Sequence, residues 1–369
     1  MEYEFVKICR TGNVELAKKF LHDNPTVDNT KWSYYILVIS CQNGNLEIIK
    51  LLFKIIPNIN ISHENDYVFR YACENGHLKV AEWLLNYKSD IDISAENEFA
   101  FRMACFNGHL EVAKWLLRIK STIDISTENE FAFRSACENG HLEIAKWLFN
   151  HKPEINISAI EEYAFRFACK NNKLEVAKWL FEIKENINIS AENEYAFRSV
   201  CLENNLKVAK WLLEIKPNIN ISIINESVFR GACYYGNLEM AKWLFEIKPN
   251  INISAEEEFA FRCACENDNL EVAKWLIEIK PDINISIINE AAFRGACFYG
   301  NLEIAKWLFK IKPNINIIVN NNEVFRNAYQ YNRLEIIQWL QNIFPQKYYV
   351  EIKNNRVISY NITKKRKFN

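Results

Sequence analysis

Between Ser94 and Ile125 the chain reads S-A-E-N-E-F-A-F-R-M-A-C-F-N-G-H-L-E-V-A-K-W-L-L-R-I-K-S-T-I-D-I, and its apolar residues recur twice at helical spacing. In the first run Phe101, Ala104 and Cys105, with Phe99 or Ala100 beside them, share one helical face. In the second, Leu110, Val112, Ala113, Leu116 and Leu117 form a stripe opposite Glu111, Lys114 and Arg118. Gly108-His109 between them predicts a helix C-terminal turn, since glycine tolerates the left-handed conformation. After the second run a Pro, as at Pro153 or Pro217, followed by alternating Ile and Asn, stops the helix and predicts an extended return.

This pattern repeats along nearly the whole chain. Nine of the ten Trp residues, from Trp83 to Trp339, are spaced by 32, and ten of the eleven Cys residues, from Cys9 to Cys297, keep the same period. All eight Pro residues share one phase, and from Cys9 to Tyr329, which takes the Cys place in the last copy, there are eleven repeats. A helix pair of this kind has two apolar faces and cannot bury both alone, so neighbouring copies must stack on it. The expected fold is all-α, a helix-turn-helix solenoid of about eleven 32-residue repeats with a short C-terminal β-hairpin extension. Residues 1–32, with Lys7, Arg10, Lys18, Lys19 and His22 intruding on the pattern, read as an N-terminal capping repeat, and 33–345 as the solenoid. In 346–369, Y-Y-V-E-I-K-N-N-R-V-I-S-Y-N-I predicts a hairpin turning at Asn354-Asn355, followed by the basic tail Lys364-Lys365-Arg366-Lys367.

The segment G-H-L-E-V-A-K-W-L-L at Gly108 to Leu117, preceded by F-A-F-R-M-A-C, resembles the ankyrin repeat, and the match recurs in essentially all eleven copies. The Ile/Asn/Lys-rich variant with F-R and A-K-W-L is most similar to the expanded ankyrin families of giant DNA viruses of the mimivirus kind. Three departures stand out. The repeat has 32 residues rather than the 33 usual in ankyrin repeats, and S-A-E-N-E or S-I-I-N-E replaces the hairpin loop. The Thr-Pro start is replaced by an aromatic or Val and a small residue, so capping is expected at Ser94, Ser126 and Ser158, with a longer first helix and reduced finger-like hairpins. Lys120 and Lys152 stand where the family places a Gly after the second helix.

Composition narrows the function. With 49% hydrophobic residues and 45 Lys plus Arg against 46 Asp plus Glu, the chain can bury a large core, and its net charge of -1 gives no global attraction to polyanions. No uncharged apolar run approaches the roughly 18 to 20 residues of a membrane span, and Met1-Glu-Tyr-Glu-Phe lacks signal-peptide character, which predicts a soluble intracellular protein. The host cytoplasm is the expected compartment, with nucleus or virion as alternatives. The Cys column reads as reduced core residues. The spacings Cys73 to His77, Cys105 to His109 and Cys137 to His141 suggest metal only weakly, because later copies carry Lys173 or Asn205 instead. No phosphate loop, nucleophile elbow or carboxylate pair stands outside the repeat, so neither an enzyme nor a cofactor is expected.

The Arg column from Arg70 to Arg326 has an acid four residues earlier in eight copies, Asp66 and Glu98 among them, and predicts a ladder of ion pairs on the first helix. The Trp column predicts core packing. If instead left open, either column could serve nucleic acid, and a virion structural component is a further alternative. The resemblance implies a monomeric protein-interaction scaffold, with the two residues before each turn Gly facing a concave groove. Those residues include Phe106, Tyr234, Tyr235, Phe298, Tyr299 and Tyr331, aromatics of the kind that anchor interfaces.

Overall fold

A computed structural model describes residues 2–24, 33–56, 59–61, 63–353 and 356–362; the expected turn at Asn354-Asn355 and the basic tail lie outside the described residues. Among the described residues 22 helices follow one another in pairs, and the strands Tyr348–Lys353 and Arg356–Ile362 close the order. The chain divides into two compact blocks, Met1–Glu192 and Asn193–Asn369.

In the first block, first helices stack in register, His63–Glu74 against Ala95–Phe106 and Ala95–Phe106 against Thr127–Asn139, while each second helix packs on its own partner. The second block repeats the scheme through Ile223–Tyr234, Ala255–Glu266, Ile287–Tyr299 and Val319–Gln330. Its last helix, Leu334–Ile343, is followed by the antiparallel hairpin, whose Tyr348 stacks on Phe325 at 4.4 Å between ring centroids. Tyr348 is buried there, and Tyr360 lies on Tyr329 at 4.4 Å, so the hairpin covers the apolar end of the final repeat.

The repeated core residue is a phenylalanine. Phe101, Phe133 and Phe165 in the first block, and Phe229, Phe261 and Phe293 in the second, are completely or almost completely buried beside the Cys and Ala columns. The indole of the following repeat covers each ring, Trp147 on Phe101 at 6.3 Å and Trp275 on Phe229 at 6.1 Å, which ties one layer to the next. Trp115 and Trp275 are buried and the other indoles of the spaced column half-buried, so the tryptophans act as interlayer packing. The isoleucines of the returning connector, Ile123, Ile125, Ile155 and Ile157, also turn inward.

The start of each repeat departs from the sequence expectation. Ser94 makes no side-chain cap, and Glu96, Asn97 and Glu98, at φ 55°, 55° and 60°, form a left-handed turn before the right-handed helix begins. Seven repeats carry three consecutive residues of this kind among the described residues, and three of the triplets begin with the β-branched Ile160, Ile224 or Ile288. An L-residue loses about 1–2 kcal/mol in this conformation, so a triplet costs about 3–6 kcal/mol. The compensation comes from the Arg column: Arg102 donates Nε to the Asn97 carbonyl at 2.6 Å and Nη2 to the Glu96 carbonyl at 3.0 Å. Two hydrogen bonds from a charged donor contribute about 1.5–3 kcal/mol each, which balances the turn. The same brace recurs at Arg134 and Arg262.

At Arg102, Arg134, Arg230 and Arg262 the predicted ion pair with the acid four residues earlier is therefore replaced by another arrangement. The left-handed turn buries that acid under the repeat's own connector. Glu162 accepts hydrogen bonds from Ser158 Oγ at 2.6 Å, Lys184 Nζ at 3.0 Å and the Asn188 amide at 3.3 Å. Glu226 and Glu258 accept the Asn252 and Asn284 amides in the same way, and Lys152 reaches Ser126 Oγ at 2.6 Å. At Lys152 and Lys184 the Lys that replaces the family's helix-terminal Gly thus staples the end of a repeat to its beginning, while Lys120 reaches Asp92 of the preceding repeat at 3.7 Å.

Candidate functional site

Where the first helix ends, a left-handed residue reverses the chain: Gly108 and Gly140 have φ of 87° and 85°, and Asn172, Asn204 and Asp268 take the same place with φ of 59° to 62°. The next residue reaches back to the preceding repeat. Asn45 Nδ2 donates to the Cys9 carbonyl at 3.1 Å, His77 and His141 bond the Gln42 and Phe106 carbonyls at 2.9 and 3.1 Å, and Asn301 Nδ2 donates to the Glu266 carbonyl at 2.8 Å. The C-x-x-x-H spacing therefore serves two unrelated tasks, with the thiol in the core and the imidazole joining layers. All eleven cysteines are free and buried, and burial pushes Cys105 and Cys137 well above the ordinary thiol range. Burial also holds His109 and His141 below the usual imidazole value.

These turns place the variable pair that precedes them at the exposed end of each first helix. Tyr235 is 61% exposed, Tyr299 53%, Tyr331 47% and Tyr234 38%. In the second block Phe298 joins Tyr299 at 4.9 Å and Tyr331 at 4.6 Å, giving one continuous cluster, and Tyr234 and Tyr235 form an edge-on pair at 4.9 Å. Phe106 belongs to the first block, where it is half-buried and stacks on Phe131 at 6.3 Å. Five of the six predicted aromatics thus lie in one block, in two groups, and Phe106 does not join them.

The guanidiniums of the first helices are engaged in the fold. Rings from the next repeat cover Arg70, Arg102 and Arg230, with Phe99 at 4.9 Å, Phe131 at 5.1 Å and Phe259 at 4.8 Å. Arg294 instead pairs with Glu323 at 2.7 Å. Sequence reasoning missed a hollow of about 320 Å³ in the second block, lined by Arg262, Glu266, Ala291 and Gly295 and bordered by Phe298 and Tyr299. The signal for it was available, since Ala291 and Gly295 stand in columns otherwise occupied mostly by larger side chains. Among the described residues no group of three or more His, Cys, Asp or Glu side chains is placed to hold a metal ion, and no helix is long and apolar enough to cross a membrane.

A family model described as Ankyrin repeats (3 copies) matches residues 5–97, 90–160, 136–225, 200–287 and 229–321. No curated protein matches the chain.

Proposed function

The chain belongs to the ankyrin repeat family, and on that footing we propose that it is a non-enzymatic scaffold that holds another protein against the exposed ends of its first helices, the concave side in this family. Ankyrin repeats generally mediate protein-protein interaction, and the observation that carries the reading here is the aromatic edge of the second block. Tyr234, Tyr235, Tyr299 and Tyr331 expose large rings at the ends of three first helices of the second block, side chains of the kind that anchor interfaces. The mechanism is rigid display: stapled repeats hold the edge in place, and differences between repeats select the partner.

In this reading the protein acts as a monomer inside the host cell, a setting supported by its eleven free, buried cysteines. The Ile/Asn/Lys-rich repeat supports a giant-virus lineage by resemblance, with a host or viral protein as partner. Residues 1–32 act as the N-terminal cap, 33–345 as the solenoid, and the hairpin within 346–369 closes its far end, as the packing of Tyr348 on Phe325 supports. The engagement of most guanidiniums with carbonyls and rings argues against a phosphate-reading stripe. Tyr235→Ala with Tyr299→Ala should abolish co-purification of the captured partner and leave the thermal melt unchanged. Equal capture by the double variant rejects this surface.

A further inference from the structure

Two layers of this protein carry the same Arg and Glu but differ in what lies on them. In the repeat that begins at Ser126, Arg134 is covered by Tyr163 of the following repeat at 4.6 Å, and the Tyr163 hydroxyl donates to Glu138 Oε2 at 2.7 Å. Phe167 stacks on that tyrosine at 4.0 Å. Four repeats later Arg262 and Glu266 occupy the places of Arg134 and Glu138, while Ala291 and Gly295 occupy those of Tyr163 and Phe167. Both rings are therefore missing, and the 320 Å³ hollow, which Arg294, Glu323 and Asn327 of the next layers also line, takes in their place beside Arg262 and Glu266.

The side chains around that space keep the state that a ring would complete. Arg262 is braced by the Glu257 and Glu256 carbonyls at 2.8 and 3.2 Å, and its one ring contact among the described residues is Phe259 of its own helix at 5.8 Å. Glu266 forms no side-chain hydrogen bond or ion pair among the described residues; it lies across Gly295, where a β-carbon would fall 2.2 Å from its Cγ. Burial raises its carboxyl above the usual range, opposed by Arg262 and Arg294. The layer at Arg70 shows what a ring without a hydroxyl leaves behind: Phe99 covers the guanidinium, and Glu74 Oε2 stays buried with no partner. In the layer at Arg198 the comparable space beside Gly231 is filled by Leu202, so the pairing of Arg, Glu and an open face belongs to the Arg262 layer.

We propose that this hollow is a socket for one tyrosine side chain of the partner protein, its ring on the Arg262 guanidinium and its hydroxyl donating to the Glu266 carboxylate. The proposal rests on the scaffold reading and sharpens it, because the socket adjoins Phe298 and Tyr299 and would anchor a chain lying along that edge. Aromatic stacking on a guanidinium and a hydroxyl bond to a carboxylate are both contacts that leucine cannot make, and phenylalanine makes only the first.

The test titrates N-acetyl-tyrosine amide, N-acetyl-phenylalanine amide and N-acetyl-leucine amide into the full chain and follows the Ala291 methyl resonance. The tyrosine amide should bind about tenfold more tightly than the phenylalanine amide, the scale expected of one hydrogen bond to a charged group. Glu266→Gln should bring the two within about twofold of each other, since an amide oxygen accepts more weakly than a carboxylate. Ala291→Tyr, which builds the missing ring into the chain, should abolish binding of all three while retaining the native melt. Equal affinity for tyrosine and leucine amides, or binding undiminished by Ala291→Tyr in a folded protein, overturns the socket. Failure of the amide titration leaves the capture result with Tyr235→Ala and Tyr299→Ala untouched, so the two readings fall separately. Partner capture that survives Ala291→Tyr but not the aromatic double substitution overturns the socket as an anchor and leaves the scaffold standing.

Discussion

The layers at Arg134 and at Arg262 share a backbone, a braced left-handed turn and an Arg-Glu pair, yet one is closed by Tyr163 and Phe167 and the other lies open at Ala291 and Gly295. The difference teaches that the fold needs the guanidinium for its turn and does not need the ring that covers it. A repeat can therefore lose its covering aromatics and expose an Arg-Glu pair without losing its place in the stack. The edge of the Arg262 guanidinium holds carbonyls, and its flat face carries no ring from the following repeat.

The comparison can be broken first at the buried ring common to both layers. Phe133→Ala and Phe261→Ala should each cost about 3–5 kcal/mol, and by equal amounts, in urea unfolding monitored with site-resolved hydrogen exchange. Unequal losses would show that the layers differ below the surface as well. Next, Tyr163→Ala should cost about 1–3 kcal/mol by removing the stack and the Glu138 bond, and should create binding of N-acetyl-tyrosine amide in the first block. A destabilised variant that acquires no binding would break the equivalence of the two layers. Arg134→Ala should be more damaging than Arg262→Ala by about 1 kcal/mol, because both lose the turn brace but only the former loses a cation–π lid. Gly295→Ala should change stability by no more than about 1 kcal/mol, the helix-propensity gain being set against the rotamer change Glu266 must make to clear a β-carbon 2.2 Å from its Cγ. A marked loss would mean that Glu266 cannot move.

The smallest effect concerns pH. His109 and His141 are held below their unfolded value, so the unfolded chain binds more protons as pH falls. Stability should be full above the unfolded imidazole value of about 6.5 and decline as pH drops toward 5. Melts at stepped pH check this, and Asn at both positions, the residue used at Asn237 and Asn301, should flatten the decline.

Helix pairs, turn glycines and the Trp and Cys columns were legible in the sequence because each rests on a period or on a residue with one clear conformational use. The left-handed turn was not. S-A-E-N-E carries a Ser followed by acids, which imitates a capped helix start, and nothing in a list of residue types distinguishes that from a turn of the opposite hand. The Arg ladder failed for the same reason, since spacing by four places side chains together only along a right-handed helix. The exposure of Tyr234, Tyr235, Tyr299 and Tyr331 followed from their place before the turn, whereas Phe106 and Phe298, at equivalent places, are half-buried. The hollow escaped because it is defined by what Ala291 and Gly295 lack relative to Tyr163 and Phe167, a comparison between repeats rather than a property of either.

The Lys-to-Ser and amide-to-Glu bonds that fasten the end of a repeat to its own beginning have a genetic consequence. A segment cut at the junction before the Ser and inserted elsewhere in the same phase carries these internal fastenings with it. Lengthening or shortening the array by whole copies then cuts only the ties between layers, such as Trp147 on Phe101 and His141 to the Phe106 carbonyl, and offers each an equivalent neighbour to remake them with; 223–236 and 287–300 are near copies of this kind.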